Sequence, residues 1–145
     1  MDKVQIRKLH KEDAPEISRI YAAITRKALD SDFKRVVEEH ALRDDEACFV
    51  AEHEGKIVGF MISYILTAGF GMPKSAWIAT LGVDPNFMGQ DIGATLAEEI
   101  LNYYKAQGVE NVYTSVRWDS TDLLSFFKTL GFDRSNFINL RKVLK

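Results

Sequence analysis

Cysteine is nearly missing from this chain. Cys48 is the only one in 145 residues, which excludes an intramolecular disulfide and a cysteine-based zinc site. It stands within the apolar run Ala47 to Ala51, where a buried, inert thiol is expected. The three histidines, His10, His40 and His53, are scattered, and no metal-ligand spacing joins them. Neither charge sign dominates: 19 Lys and Arg against 21 Asp and Glu leave a net charge of -2. No basic field therefore invites nucleic acid. Long apolar runs are also missing. The most apolar stretch, Ile57 to Leu66, is about half of what a membrane-spanning helix requires. Met1 to Glu12 is polar and charged, unlike a signal peptide, so a cytoplasmic, reducing compartment is the expectation.

What is present belongs to a globular chain. Hydrophobic residues make up 46% and charged residues 28%, and the length suits one domain over 1–145 with one core. Val4 to Leu9 alternates and predicts a first strand. Asp13 and Glu16 have capping-box spacing, with Pro15 in the first turn. Ile17, Ile20, Tyr21 and Ile24 then predict a helix over 13–28, and Phe33, Val36 and Val37 a second over 31–42. Ala47 to Glu52 and Lys56 to Leu66 read as a hairpin turning at Glu54-Gly55. Residues 76–83 form a strand stopped by Asp84-Pro85. Ile92, Leu96, Ile100 and Tyr104 stripe a helix over 89–105. A strand at 112–117, a helix ending at Gly131 and an edge strand at Phe137 to Leu144 complete the chain. The order β-α-α-β-β-β-α-β-α-β implies an α/β fold, one mixed sheet with helices on both faces.

The segment Ile78 to Leu96, IATLGVDPNFMGQDIGATL, runs from a strand through a glycine-containing loop into a long helix. Such a loop presents free backbone N–H groups at a helix N-terminus and suits phosphate. It equally suits a plain strand-to-helix turn relaxed by Gly89. No Gly-Lys-Ser/Thr follows, which removes a P-loop. Gly89 and Gly93 are spaced Gly-x-x-x-Gly, which removes a dinucleotide fingerprint.

The run LGVDPNFMGQDIGATL resembles motif A of the GNAT superfamily, the acetyl-CoA-dependent N-acetyltransferases. VQIRKLHKEDAPEISRI resembles that family's first strand and helix, VAEHEGKIVGF its β2–β3 hairpin, and VRWDSTDLLSFFKTLGF its motif B. The resemblance covers nearly the whole chain in order. It implies that Leu81, Gly82 and Val83 pair with the pantetheine arm of acetyl-CoA. It implies that Met88, Gly89, Gln90, Asp91, Ile92, Gly93 and Ala94 form the pyrophosphate loop, and that Ser120 contacts the cofactor. The strands at 76–83 and 112–117 would then splay around the cofactor. The acceptor amine would lie near 25–42 and Thr67 to Ser75, where Asp30, Asp32, Glu38 and Glu39 are acidic. Related proteins dimerise through terminal strands, which marks 137–144 as a homodimer edge.

The chain departs from the family pattern at several places. Met88 stands where Arg or Gln is usual, Asp91 where Gly is usual, Phe127 where many members have a proton-donating Tyr, and Ser115 where some have a Glu base. Asp119 is the nearest carboxylate; it reads as a helix N-cap or as a proton acceptor through water. Two functions follow: an N-acetyltransferase acting on a primary amine, or a weakened acyl-CoA-binding or protein-interaction module.

Overall fold

The computed structural model describes residues 4–26, 31–43, 45–67 and 73–145. Its strands are β1 (Gln5–Lys8), β2 (Phe49–His53), β3 (Lys56–Leu66), β4 (Ser75–Val83) and β5 (Val112–Thr114). Its helices are α1 (Ala14–Thr25), α2 (Ser31–Ala41), α3 (Ile92–Ala106) and α4 (Thr121–Thr129). The strands form one sheet in the order β1-β2-β3-β4-β5. Neighbours are antiparallel from β1 through β4, and β5 runs parallel to β4. A parallel pair requires a crossover, which α3 supplies. Two compact units make up the chain, Met1–Ser115 and Val116–Lys145. The sheet and the first three helices belong to the first unit, and α4 to the second.

Two packed layers sandwich the sheet in the first unit. On one face, Ile17 and Ile20 of α1 and Val37 of α2 join Val50, Phe60 and Ile62 in a buried cluster. Tyr21 and Phe33 stack at 4.0 Å to bind the two helices together. A register slip beside Ala51/Glu52 leaves Val58 extra in β3, so Ile57 joins that same cluster. On the other face, Ile92, Leu96, Ile100 and Tyr104 of α3 are buried, matching the stripe seen in the sequence. The Tyr104 hydroxyl is satisfied there. It accepts from the Ala47 N–H at 2.9 Å and lies 2.7 Å from Ser63 Oγ, which donates to the Ala47 carbonyl. Burial pushes this phenol's pKa up. Burial likewise raises the Cys48 thiol to about 11, which makes it the inert group expected.

Several boundaries and contacts differ from the sequence reading. Asp13 and Glu16 form no capping box. Asp13 sits at the α1 N-cap without a side-chain cap bond, because its carboxylate is taken by Arg7 at 2.8 and 2.9 Å and by the His10 N–H at 2.8 Å. Glu16 instead accepts from the Ile57 N–H at 3.3 Å. The hairpin turn behaves as expected, with Glu54 at φ 50° and Gly55 at φ 77°. The helix predicted from Gly89 begins at Ile92, and the strand predicted to 117 ends at Thr114. Phe137 to Leu144 forms no strand. A strand exists through its ladder, and among the described residues no ladder reaches that segment; Ile138, Leu140 and Leu144 are 86%, 93% and 84% exposed. Residues 27–30, Asp30 among them, and 68–72 of the predicted acceptor region lie outside the described residues. Among the described residues, no helix is long and apolar enough to cross a membrane.

Arg7 also reaches Glu52 at 3.1 Å, so one guanidinium joins β1, β2 and the entry to α1. Burial alone would raise the Asp13 pKa, but the hydrogen bonds from Arg7 and the His10 N–H outweigh it and hold the carboxyl below its usual range. The stability this adds is present above the unfolded pKa near 4 and fades as pH falls through the lower folded value. Asp13→Asn is expected to cost about 1–2 kcal/mol at neutral pH. It should also flatten the acid side of the stability curve, as read by urea unfolding at pH 3 to 7.

Candidate active site: an open strand edge and an uncapped helix start

β4 and β5 pair over only three positions, Ala76↔Val112, Trp77↔Tyr113 and Ile78↔Thr114. Thr114 Oγ1 donates to the Ile78 carbonyl at 2.9 Å, at the last pair. β4 then continues to Val83 with β3 as its one partner strand among the described residues. A register slip between Ile62 and Ser63 leaves Ala79 unmatched, a bulge at the point where the ladder opens. The edge from Ala79 to Val83 therefore carries free backbone donors and acceptors over about 13 Å.

Past that edge the chain turns tightly. The Asp84 N–H donates to the Val58 carbonyl at 2.8 Å, and Asp84 Oδ1 accepts from the Asn86 N–H at 2.9 Å. Pro85 opens a short 3-10 turn, and Met88 is extended. Gly89 at φ 85° and Asp91 at φ 60° then bend the chain into α3. The Asp91 carbonyl accepts the first helical bond, from the Thr95 N–H at 3.0 Å. The N–H groups of Ile92, Gly93 and Ala94 precede that bond, and the Asp91 side chain gives no cap. This uncapped start concentrates donors and the positive end of the helix dipole.

Ile92 anchors the helix start. A Cβ on Gly59 would come within 2.9 Å of Ile92 Cγ2, so the missing side chain lets α3 sit down on β3. Gly82 has a similar role on the opposite face, where a Cβ would meet the Phe60 ring at 2.7 Å and Ile24 at 2.9 Å. Gly59 was not singled out from the sequence, because an isolated glycine in a strand signals nothing specific until its neighbour is known.

The first unit thus brings Leu81, Gly82 and Val83 together with the 88–94 loop, in one continuous strand, turn and helix start. Met88 is 59% exposed. Asp119 and Ser120 lie in the second unit. The N-cap of α4 is Ser120, without a side-chain cap bond, so Asp119 does not cap the helix. Its carboxylate is held by Arg117 at 2.9 and 3.0 Å, and this pairing lowers its pKa. Phe127 is 5% exposed and packs edge-on to Phe126 and Phe132, each at 5.1 Å.

Comparison with known proteins gives the family and the fold. The family model for the acetyltransferase (GNAT) family matches residues 5–132. The chain belongs to the GNAT family. It is 30% identical over 103 residues to a mycothiol acetyltransferase of Amycolatopsis mediterranei, covering 69% of this chain and 34% of the relative. It is 34% identical over 84 residues to the N-alpha-acetyltransferase RimI of Mycobacterium tuberculosis, covering 58% and 50%. The chain thus spans about a third to a half of the length of these curated relatives. An aminoglycoside acetyltransferase from an uncultured soil metagenomic sample, solved with trehalose, superposes with a TM-score of 0.77 at 25% identity, over 98% of this chain and 97% of its own. The aminoglycoside N-acetyltransferase AAC(6')-Iy, solved with CoA, superposes at 0.82 with 16% identity over 99% and 96%, which speaks for the fold.

Among the described residues, Asp91 is one of three non-glycine residues with positive φ, at a place where left-handed backbone costs most side chains about 1 kcal/mol. Asp91→Gly and Asp91→Asn are expected to keep or slightly raise the melting temperature. Asp91→Ala should lower it by a few degrees, a ranking that thermal unfolding checks.

Proposed function

We propose that this chain is an acetyl-CoA-dependent N-acetyltransferase acting on a primary amine, with residues 1–145 as one acyltransferase domain in a reducing cytoplasm. The observation that carries the reading is the continuity of an unpaired β4 edge with an uncapped α3 start. An extended thioester arm fits the first, and a pyrophosphate fits the second. The residues present suit that co-substrate: Leu81, Gly82 and Val83 would offer backbone groups to the arm, and the N–H groups from Gly89 to Ala94 would hold its anionic end. Ser120 is assigned a further contact from the start of α4.

The chemistry is direct transfer. The amine nitrogen attacks the acetyl carbonyl carbon, the carbon–sulfur bond breaks, and the sulfur leaves as a thiolate that takes up a proton. The ammonium must first lose its proton to attack, so one proton is released for each ammonium consumed. A backbone N–H of β4 beside the Ala79 bulge would stabilise the developing oxyanion. Asp119 is the candidate proton acceptor, through water. Its pairing with Arg117 makes it a weak base, so Asp119→Asn is expected to lower kcat about ten-fold. That is less than the ~10²–10⁴ of a dedicated base. Acetyl-CoA affinity should stay unchanged.

A second reading, a binding module that holds acyl-CoA without turnover, draws on specific observations. Asp91 adds a negative charge at the anion site, the Met88 side chain points to solvent, and Phe127 is a packing residue between two other phenylalanines. Calorimetric titration with acetyl-CoA, followed by thiol release over a panel of primary amines, separates the readings. Micromolar binding with thiol release supports the enzyme, and binding without release from any amine supports the module. Absence of binding at millimolar acetyl-CoA removes both. Asp91→Gly and Asp91→Asn are each expected to tighten acetyl-CoA binding several-fold, because removal of one exposed like charge is worth ~1 kcal/mol or less.

A further inference from the structure

The open edge of β4 is backed by apolar residues. Residues 78–83 of β4, and residues 57–62 of the β3 strand behind them, carry no ionisable side chain. Val58, Phe60, Met61 and Ile62 are all buried. Between Ala79 and Ala94 the ionisable residues are Asp84 and Asp91. Asp84 Oδ1 accepts the Asn86 N–H at 2.9 Å, and Asp91 stands at the start of α3, away from the strand edge.

An amine attacks a thioester only as the neutral base, so its ammonium proton must go elsewhere first. Asp119, the proton acceptor assigned above, is poorly suited to take it. Arg117 grips both its oxygens, at 3.0 and 2.9 Å, and this pairing holds the carboxyl below its usual range. Phe127, packed edge-on against Phe126 and Phe132, neither takes nor gives a proton. Tyr64 and Tyr113 stack on Trp77 with ring centroids 6.5 and 5.0 Å away, and a phenol is a proton donor at neutral pH. Of the acidic residues put forward by the sequence, Asp32 pairs with Arg35 at 3.4 Å. Asp30 lies outside the described residues.

The size of the proton problem depends on the amine. Passing a proton from an alkyl ammonium to an ordinary carboxylate is unfavourable by about a million-fold, and from an α-ammonium by about ten-thousand-fold. The other supply is the fraction already neutral in water. At pH 7.5 that is about one in three α-amines, but only about one in a thousand alkyl amines. The apolar backing of the edge sharpens the difference, because desolvation penalises the ammonium form. We infer that the acceptor enters already neutral, and that the site therefore selects weakly basic amines, α-amino groups above all, over alkyl amines such as lysine side chains. The ammonium gives its proton to bulk water. The neutral nitrogen then adds to the carbonyl carbon, the carbon–sulfur bond breaks, and the proton lost from nitrogen is balanced by one taken up at the thiolate. The inference rests on the acetyltransferase reading and names the acceptor class within it.

The pH dependence of kcat/KM tests this, because it reports the ionisations of free protein and free amine. Glycinamide, an α-amine, and butylamine are compared from pH 6.5 to 9.5, with thiol release in the absence of protein subtracted. For glycinamide, kcat/KM is expected to rise about ten-fold per pH unit and to level off near pH 8, where the amine itself titrates. For butylamine it should still be rising at pH 9.5. Asp119→Asn should lower both curves and move neither bend. Alanyl-lysine amide carries both kinds of amine in one molecule, and at pH 7.5 its α nitrogen should be acetylated at least about ten-fold faster than its side-chain nitrogen. Curves that bend at one shared pH for both amines would overturn the inference, because that bend would belong to a base on the protein. So would acetylation of alanyl-lysine amide mainly at the side-chain nitrogen. Either result leaves the acetyltransferase reading standing, whereas thiol release from none of the amines removes that reading and the inference with it.

Discussion

The short parallel ladder between β4 and β5 is the constraint on which the rest of the first unit depends. It ends at Ile78 and Thr114, with Thr114 Oγ1 donating to the Ile78 carbonyl. Had it continued, the backbone groups from Ala79 to Val83 would be spent on a neighbouring strand. Because it stops, those groups remain available along the β4 edge, where β5 would otherwise lie. The bulge at Ala79 falls at the same point, so a change of register and the end of pairing coincide. An extended ligand can complete the sheet there for the same reason that a strand would: unpaired N–H and C=O groups gain by finding partners.

The helix start follows from packing of a different kind. α3 approaches the sheet closely because Gly59 leaves a notch for Ile92, and the stripe of Leu96, Ile100 and Tyr104 holds it down. The loop before it must then reverse direction in few residues, which Gly89 and Asp91 accomplish with positive φ. Asp91 is tolerated because a short polar side chain enters the left-handed region more readily than most. The loop geometry therefore survives the exchange of glycine for a charged residue. What changes is the electrostatics at its mouth, where the helix dipole favours an anion and the Asp91 carboxylate opposes one.

The two polar clusters of the first unit have different roles. Arg7 joins β1, β2 and the entry to α1 at the surface, a brace that depends on the ionisation of Asp13. Tyr104, Ser63 and Ala47 form a neutral buried network that lets a phenol lie fully within the α3 layer. Neither touches the open edge. The left-handed Asp91 and the unpaired part of the β4 edge both lie in the segment from Ala79 to Ala94.

The sequence by itself determined the order of elements as far as α4, the α3 stripe, the Glu54-Gly55 turn and the strand–loop–helix segment that holds the candidate site. These are local properties: period, turn chemistry and a motif of contiguous residues, each encoded within about 20 positions. It misjudged the capping roles of Asp13 and Asp119, because spacing shows where a carboxylate stands in the chain and not which guanidinium reaches it. Arg7 and Arg117 decided those cases. It also extended β5 to 117 and drew a strand at 137–144, since a strand's extent depends on its partner rather than on its own residues. Only the tertiary structure decided that Gly59 receives Ile92, that Ala79 is a bulge, and that Tyr64, Trp77 and Tyr113 share one face. Those residues are 10 to 50 positions apart in the chain, and only strand register, a property of the whole sheet, aligns them.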